Sequence, residues 1–209
     1  MARILMIVAA LFVLVTPAAQ ANTDLAPDAL ARSVTDEVLS IVRADKELQA
    51  GNPQKVAQLV EAKVLPHFNF TRMTQLAVGR HWRQATPEQQ KTLIEEFKTL
   101  LVRTYATAFT QYRNQTVDYR PLRMGPGDTD VVVKSLIRQP AGQPIAVDYS
   151  MERVSSTWKV YDVKIEGISL VDNYRNTFSG EVQRGGIDGL IRTLSNKNKT
   201  LAAQWARPS

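Results

Sequence analysis

The spacing of the apolar residues changes twice along the chain, and this change constrains the fold more than any other feature of the sequence. Up to Tyr112 the apolar residues recur at steps of three and four, which predicts helices. From Val117 to Ile165 they alternate with polar residues, which predicts strands. After Gly167 the helical spacing returns. Helices, then strands, then helices are typical of an α+β fold, with the helices packed on one face of an antiparallel sheet.

Four helices are predicted before the strands. The first carries Leu30 to Val42, and the second runs from Pro53 to Pro66. The third covers Phe68 to Val78. The fourth begins at Thr86-Pro87-Glu88-Gln89, where Thr86 can cap the helix, Pro87 suits the first turn and Gln89 completes a capping box. Its apolar stripe predicts a long helix that reaches Tyr112.

The middle of the chain predicts a four-stranded antiparallel meander. Its strands lie around Val117, over 130–138, over 145–152 and over 159–165, with short connections rich in glycine, proline and serine. In the last strand the alternation predicts that Tyr161, Val163 and Ile165 share one face. Beyond it, Gly185-Gly186 divides two further helical segments, and the polar tail from about residue 199 is expected to be frayed.

The first residues predict an export signal. Arg3 precedes an apolar run from Ile4 to Val15, and Ala19-Gln20-Ala21 fits the pattern of small residues that signal peptidase cleaves after. The run is shorter than the roughly 20 residues of a membrane span. We therefore expect a signal peptide over 1–21, cleaved after Ala21, and a single exported domain over 22–209. An uncleaved anchor is the alternative.

Several classes of site are excluded or disfavoured by composition. The chain has no Cys and two His, which excludes thiol catalysis and thiolate metal sites and leaves little room for a histidine metal site. It contains no phosphate-binding glycine loop and no nucleophile-elbow serine. The formal net charge of +6 is modest and spread out, so nucleic acid is not an expected partner. No cofactor is predicted.

Two polar residues remain as candidates for chemistry. His81 stands between basic and aromatic neighbours, and no carboxylate that would orient it can be placed from the sequence. Asp162 lies in the middle of an apolar strand, where a buried carboxylate needs hydrogen-bond partners. A structural tie to a turn or helix end is the favoured interpretation of Asp162, and a catalytic base is the alternative.

The apolar strand positions allow two interpretations. They can fill a solid core, or the sheet and helices can stand apart and enclose an apolar cavity. Periodicity does not separate the two, because a core face and a pocket lining have the same pattern.

Several blocks of residues are distinctive of a known family. In the front half they are Phe68-Asn69-Phe70-Thr71-Arg72-Met73, Gly79-Arg80-His81-Trp82-Arg83 and Thr86-Pro87-Glu88-Gln89-Gln90. In the back half they are Trp158-Lys159-Val160-Tyr161-Asp162-Val163, Glu166-Gly167-Ile168-Ser169-Leu170-Val171, Asn173-Tyr174-Arg175 and Gly186-Ile187-Asp188-Gly189-Leu190-Ile191. With these blocks the chain resembles the MlaC, or toluene-tolerance, family of periplasmic phospholipid-binding proteins, and the resemblance covers roughly Asp28 to Asn198.

The resemblance implies a carrier rather than an enzyme. Such proteins hold phospholipid tails in a cavity between an NTF2-like or cystatin-like sheet and helices. They exchange lipid with an outer-membrane lipoprotein–porin complex and with an inner-membrane ABC transporter that has a lipid-binding ring, which maintains outer-membrane asymmetry. The lipid-binding residues expected here are Leu101, Tyr105, Phe109, Val117, Tyr119, Val133, Val147, Tyr149, Met151, Tyr161, Val163, Ile165, Leu170 and Tyr174.

Two other functions stay open at this point. One is a periplasmic enzyme on an NTF2-like scaffold, with Asp162 as the base. The other is an interaction adaptor with a solid core.

Overall fold

The computed structural model describes residues 25–106, 115–140 and 142–205. The predicted signal peptide, Phe109 and Tyr112 lie outside these ranges. The α-helices are α1 (Pro27–Ala44), α2 (Lys46–Gln49), α3 (Pro53–Leu59), α4 (Phe70–Val78), α5 (Pro87–Tyr105) and α6 (Leu170–Trp205). A π-helical turn (Val60–Val64) and two 3₁₀ turns (Leu65–His67 and Gly79–Gln84) connect α3, α4 and α5.

Helices α2 to α5 begin where a side chain accepts from free backbone N–H groups, whereas α1 begins at Pro27 without such a cap. Asn52 accepts from Gln54 N and Lys55 N before α3. At α5 the Thr86 hydroxyl accepts from Gln89 N, and the Gln89 side chain accepts from Thr86 N. The predicted capping box is therefore confirmed.

The strands form a five-stranded antiparallel sheet in the order β1-β2-β3-β4-β5. They are β1 (Thr116–Tyr119), β2 (Asp130–Arg138), β3 (Ile145–Val154), β4 (Thr157–Ile165) and β5 (Ile168–Ser169). The meander is confirmed, but the count of four strands is wrong. Glu166 and Gly167 have φ of 51° and 80°, as a type I′ hairpin turn requires, and this turn returns Ile168 alongside Ile165.

A β-bulge changes the phase of β4. Ser150 pairs with Asp162, whereas its neighbour Met151 pairs with Val160, so that Tyr161 is one residue more than the ladder needs. Tyr161 therefore joins Asp162 on one face, while Val160 and Val163 point to the other. The prediction that Tyr161 shares a face with Val163 and Ile165 is wrong for this reason.

Helices contact both faces of the sheet, which corrects the prediction of helices on one face. We call the face that carries Val133 and Val163 the inner face, and its opposite the outer face. On the outer face Arg72 of α4 binds Glu152 at 2.5 Å and Asp130 at 2.9 Å, and its guanidinium carbon lies 3.6 Å from the centre of the Tyr161 ring. The inner face is covered in part by the first half of α1.

The break in α6 lies at Gly186, whose φ of 66° and ψ of −170° leave the helical region. Beyond it Thr193 donates a 3.0 Å hydrogen bond back to Glu181. The helix then continues to Trp205, further than the frayed tail that was predicted. The buried Asn198 side chain explains this extension, because it donates to the Glu96 carbonyl at 2.9 Å and to the Glu96 carboxylate at 2.7 Å.

Three apolar clusters stabilise these layers. The bundle core joins α4, α5 and α6, with Phe97 in edge-on contact with Tyr174 and Phe178 at 5.1 Å. A second cluster joins α1, α2 and α3 around Val42 and Val56. The third is formed by the inner face of the sheet.

Candidate functional site

The inner face of the sheet consists of four rows of residues that oppose one another across the strands. The first row contains Val131, Met151 and Val160, and the second Val133, Tyr149 and Val163. The third contains Tyr119, Ser135, Val147 and Ile165, and the fourth Val117, Ile137 and Ile145. Apart from Ser135 and the phenol groups, these side chains are entirely apolar.

Burial decreases from the first row to the fourth. Met151 is 1% exposed and Val133 0% exposed, so the first two rows belong to a closed core. All three members of the fourth row are half-buried, as are Tyr119 and Ile165 at the ends of the third. We call the third and fourth rows the open end of the inner face. It is an apolar surface that the described parts of the chain cover incompletely.

The first half of α1 covers the inner face through Leu30 and Ala31. Tyr119 attaches this helix to β1: its hydroxyl donates to the Ala31 carbonyl at 3.0 Å and lies 2.7 Å from the Thr35 hydroxyl. Since the phenol proton is directed to Ala31, Thr35 is the donor in the second contact. Burial is the main cause that raises the pKa of Tyr119 above its ordinary value, so the phenol stays protonated at neutral pH.

The remaining polar groups of the inner face satisfy one another. The Ser135 hydroxyl donates to the Val147 carbonyl at 2.9 Å and is hydrogen-bonded to Tyr149. Burial raises the pKa of Tyr149, so this phenol also stays neutral. The phenols of Tyr119 and Tyr149 therefore add no formal charge to the inner face, which suits an apolar ligand.

The structure brings together most, but not all, of the residues expected to bind lipid. Leu170 packs against the inner-face cluster from the start of α6. Tyr161 lies on the outer face, and Leu101, Tyr105 and Tyr174 pack in or against the bundle core instead. The expected residues on the inner face itself are Val117, Tyr119, Val133, Val147, Tyr149, Met151, Val163 and Ile165.

Two surface grooves lie outside the inner face. A groove of about 390 Å³ runs between α3, α5 and the end of α6, with Ala57, Val102 and Trp205 among its lining residues. A second groove, of about 350 Å³, lies beside Phe68 and Phe70. Lys98 borders both. No residue of the four inner-face rows lines either groove.

Asp162 is a structural cap. One of its carboxylate oxygens accepts from the Ser169 hydroxyl at 2.7 Å and the other from Val171 N at 3.1 Å. Ser169 in turn accepts from Asp172 N at 3.0 Å. The buried carboxylate thus stabilises the first turn of α6 at the β4–β5 hairpin, which agrees with the structural interpretation of Asp162.

His81 is 8% exposed and lies 3.4 Å from the Ser179 hydroxyl. Within residues 25–106, 115–140 and 142–205 no group of three or more His, Asp or Glu side chains is arranged to hold a metal ion. In those same ranges none of the helices has the length and apolarity needed to cross a membrane.

Sequence reasoning missed the contribution of α1. Thr35 and Arg32 lie beside Tyr119, and the Arg32 guanidinium carbon is 4.8 Å from the centre of that ring. Nothing in the sequence indicates these contacts, because 84 positions separate Thr35 from Tyr119.

The family model and the similar proteins agree on one family. The model of a family described as MlaC protein matches residues 32–196. The toluene tolerance protein ttg2D of Pseudomonas putida is 28% identical over 187 residues, which cover 89% of this chain and 84% of that protein. The intermembrane phospholipid transport system binding protein MlaC of Haemophilus influenzae is 26% identical, covering 87% of this chain and 85% of that protein.

A solved structure is also similar. It is that of a phospholipid-binding protein from Ralstonia solanacearum in complex with a phospholipid. The TM-score is 0.79 and the sequence identity 46%, and the match covers 84% of this chain and 98% of the other.

Proposed function

Because the chain belongs to the MlaC family, we propose that it is a periplasmic carrier that binds the acyl chains of a phospholipid and shuttles the lipid between the outer and inner membranes. The observation that carries the proposal is the open end of the inner face, where apolar side chains of β1, β2 and β3 are half-buried beneath α1. The similar Ralstonia protein, solved with a phospholipid, supports this choice of ligand.

The bound lipid would lie between the sheet and α1. Its tails would enter over Ile137 and Ile145 and extend towards Val133 and Met151, whose side chains are fully buried. This requires an apolar cavity between the two layers, formed or enlarged as the tails enter. The polar head would stay near the solvent beyond the fourth row.

The chemistry of such a site follows from the size of the hydrophobic effect. Each buried methylene group is worth about 0.8 kcal/mol, so two acyl chains represent on the order of 20 kcal/mol. A carrier must therefore offer a surface about as apolar as the bilayer, without holding the lipid so strongly that it cannot be released. An inner face without charged side chains meets this requirement, and it needs no cofactor and no catalytic group.

The family also suggests where the carrier works. We place it in the periplasm, exported by the signal peptide over 1–21, with an outer-membrane lipoprotein–porin complex and an inner-membrane ABC transporter as its partners. In that setting its transport would maintain the lipid asymmetry of the outer membrane.

The proposal is tested by extracting the purified mature protein with organic solvent and measuring phospholipid by mass spectrometry. We expect a stoichiometric complex with phospholipid and, after delipidation, uptake from phosphatidylglycerol vesicles. Protein that carries no lipid and takes none up would contradict the proposal and favour an adaptor with a solid core.

A further inference from the structure

Arg32 is an exposed cation held at the border of the open end. It lies in the second turn of α1, and its guanidinium stacks over the Tyr119 ring with 4.8 Å between the guanidinium carbon and the ring centre. The ring is itself held by its hydrogen bonds to Ala31 and Thr35. The position of the guanidinium is therefore defined by the same residue that attaches α1 to the sheet.

This guanidinium has no ion-pair partner among the described residues. Asp36 is close enough to act on Tyr119, but it forms no ion pair with Arg32. Two other arginines at the sheet are already paired: Arg138 with Asp118, and Arg72 with Asp130 and Glu152. Arg32 thus retains its full capacity to bind an anion.

The anion that fits is a phosphate. A guanidinium presents paired N–H donors in a plane and binds two oxygens of a phosphate at once. Stacking on an aromatic ring orients that plane without occupying the donors. The cation also lies where the open end of the inner face meets the solvent, beside the half-buried Tyr119. This is where the head of a lipid would stay if its tails were covered by the inner face.

We infer that Arg32, oriented by Tyr119, binds the phosphate diester of the lipid that the open end holds. The inference rests on the proposed carrier function and deepens it. It makes Arg32 a specificity-determining residue, because acyl chains alone do not distinguish a phospholipid from a neutral diacylglycerol. The phosphate group is the feature that separates these two lipids.

The test compares lipid uptake by delipidated wild-type protein, Arg32→Gln and Arg83→Gln. Arg83 is exposed on the Gly79–Gln84 turn, away from the inner face, so its variant has the same change of charge at an unrelated position. Each protein is incubated with vesicles that contain either phosphatidylglycerol or diacylglycerol, and the bound lipid is quantified by mass spectrometry. Circular dichroism verifies that each variant is folded.

We expect Arg32→Gln to lower the affinity for phosphatidylglycerol about tenfold and to leave diacylglycerol uptake unchanged. Arg83→Gln should behave as the wild type with both lipids. Equal phosphatidylglycerol uptake by wild type and Arg32→Gln would overturn the inference, although the carrier function would stand. A wild type that takes up neither lipid would instead contradict the carrier function.

Competition with inorganic phosphate tests whether the anion that Arg32 binds belongs to a lipid or is free phosphate. We expect millimolar phosphate to compete weakly, because it has no tails for the inner face to cover. If inorganic phosphate alone binds Arg32 tightly and blocks no lipid uptake, the residue serves a free anion and the inference is wrong.

Discussion

The Thr35 hydroxyl lies 2.7 Å from the phenol oxygen of Tyr119 and joins α1 to the edge strand of the sheet. We expect Thr35→Val and Tyr119→Phe to be destabilising, and a double-mutant cycle to give a coupling energy of about 1 kcal/mol. Urea unfolding of the two single variants and the double variant measures this coupling. A coupling near zero would mean that the hydrogen bond contributes nothing to holding α1 on the inner face.

The open end should be sensitive to charge where the outer face is not. Ile145 is half-buried in the fourth row, whereas Val132 is 43% exposed on the outer face. We expect Ile145→Glu to abolish phospholipid loading with little loss of structure, because a carboxylate would have to be desolvated against the lipid tails. Val132→Glu is the matched control and should load normally.

Extraction of both variants after export, followed by mass spectrometry, gives the lipid content, and circular dichroism gives the thermal midpoint. Normal loading of Ile145→Glu would show that the lipid contacts a different surface, for which the groove beside α3 and α5 is the next candidate.

Asp162 should matter for stability and not for lipid binding. Its replacement by alanine leaves Ser169 and Val171 N without their acceptor at a buried helix end. We expect Asp162→Ala to lower the free energy of unfolding by about 1–3 kcal/mol. Urea denaturation measures the change, with Asp148→Ala on the outer face as a control.

Lipid uptake from vesicles by the folded Asp162→Ala protein should equal that of the wild type. Loss of lipid uptake without loss of stability would contradict a purely structural role for Asp162.

Alkaline pH should weaken the bundle core through Tyr174. Burial raises the pKa of this phenol to about 12, while an exposed tyrosine titrates near pH 10. Below pH 10 the phenol is protonated in both the folded and the unfolded state, so its full contribution is present. Between about pH 10 and 12 the unfolded state ionises first, and this contribution is progressively lost.

We therefore expect the wild type to lose about 1–2 kcal/mol more stability than Tyr174→Phe between pH 9 and pH 11.5. Urea unfolding at the two pH values provides the comparison, because the other titrating groups are common to both proteins. Identical pH dependence in the two proteins would contradict the assignment.

The order of elements followed from the sequence because each signal was local. The capping box at Thr86 and Gln89 involves residues three positions apart, and the alternation from Ile145 to Met151 lies within one strand. Both were confirmed. The two-residue strand β5 was missed because it is too short to show a period.

The features that the sequence did not predict depend on tertiary contacts. The extension of α6 beyond Asn196 rests on Asn198 and its partner Glu96, which are 102 positions apart. Leu101, Tyr105 and Tyr174 belong to the bundle core because α5 packs against α6 there and not against the inner face of the sheet. Apolar spacing predicts that a residue is buried, but not in which of several clusters.

The bulge in β4 sets a condition for anyone who redesigns this chain. Before the bulge the even-numbered positions, Trp158 and Val160, point inwards; after it the odd-numbered positions, Val163 and Ile165, do so. A library that varied alternate residues uniformly over 157–165 would therefore exchange surface and core halfway along the strand. Deletion of Tyr161 would remove the extra residue and restore a regular alternation, with Val160 and Val163 still facing inwards.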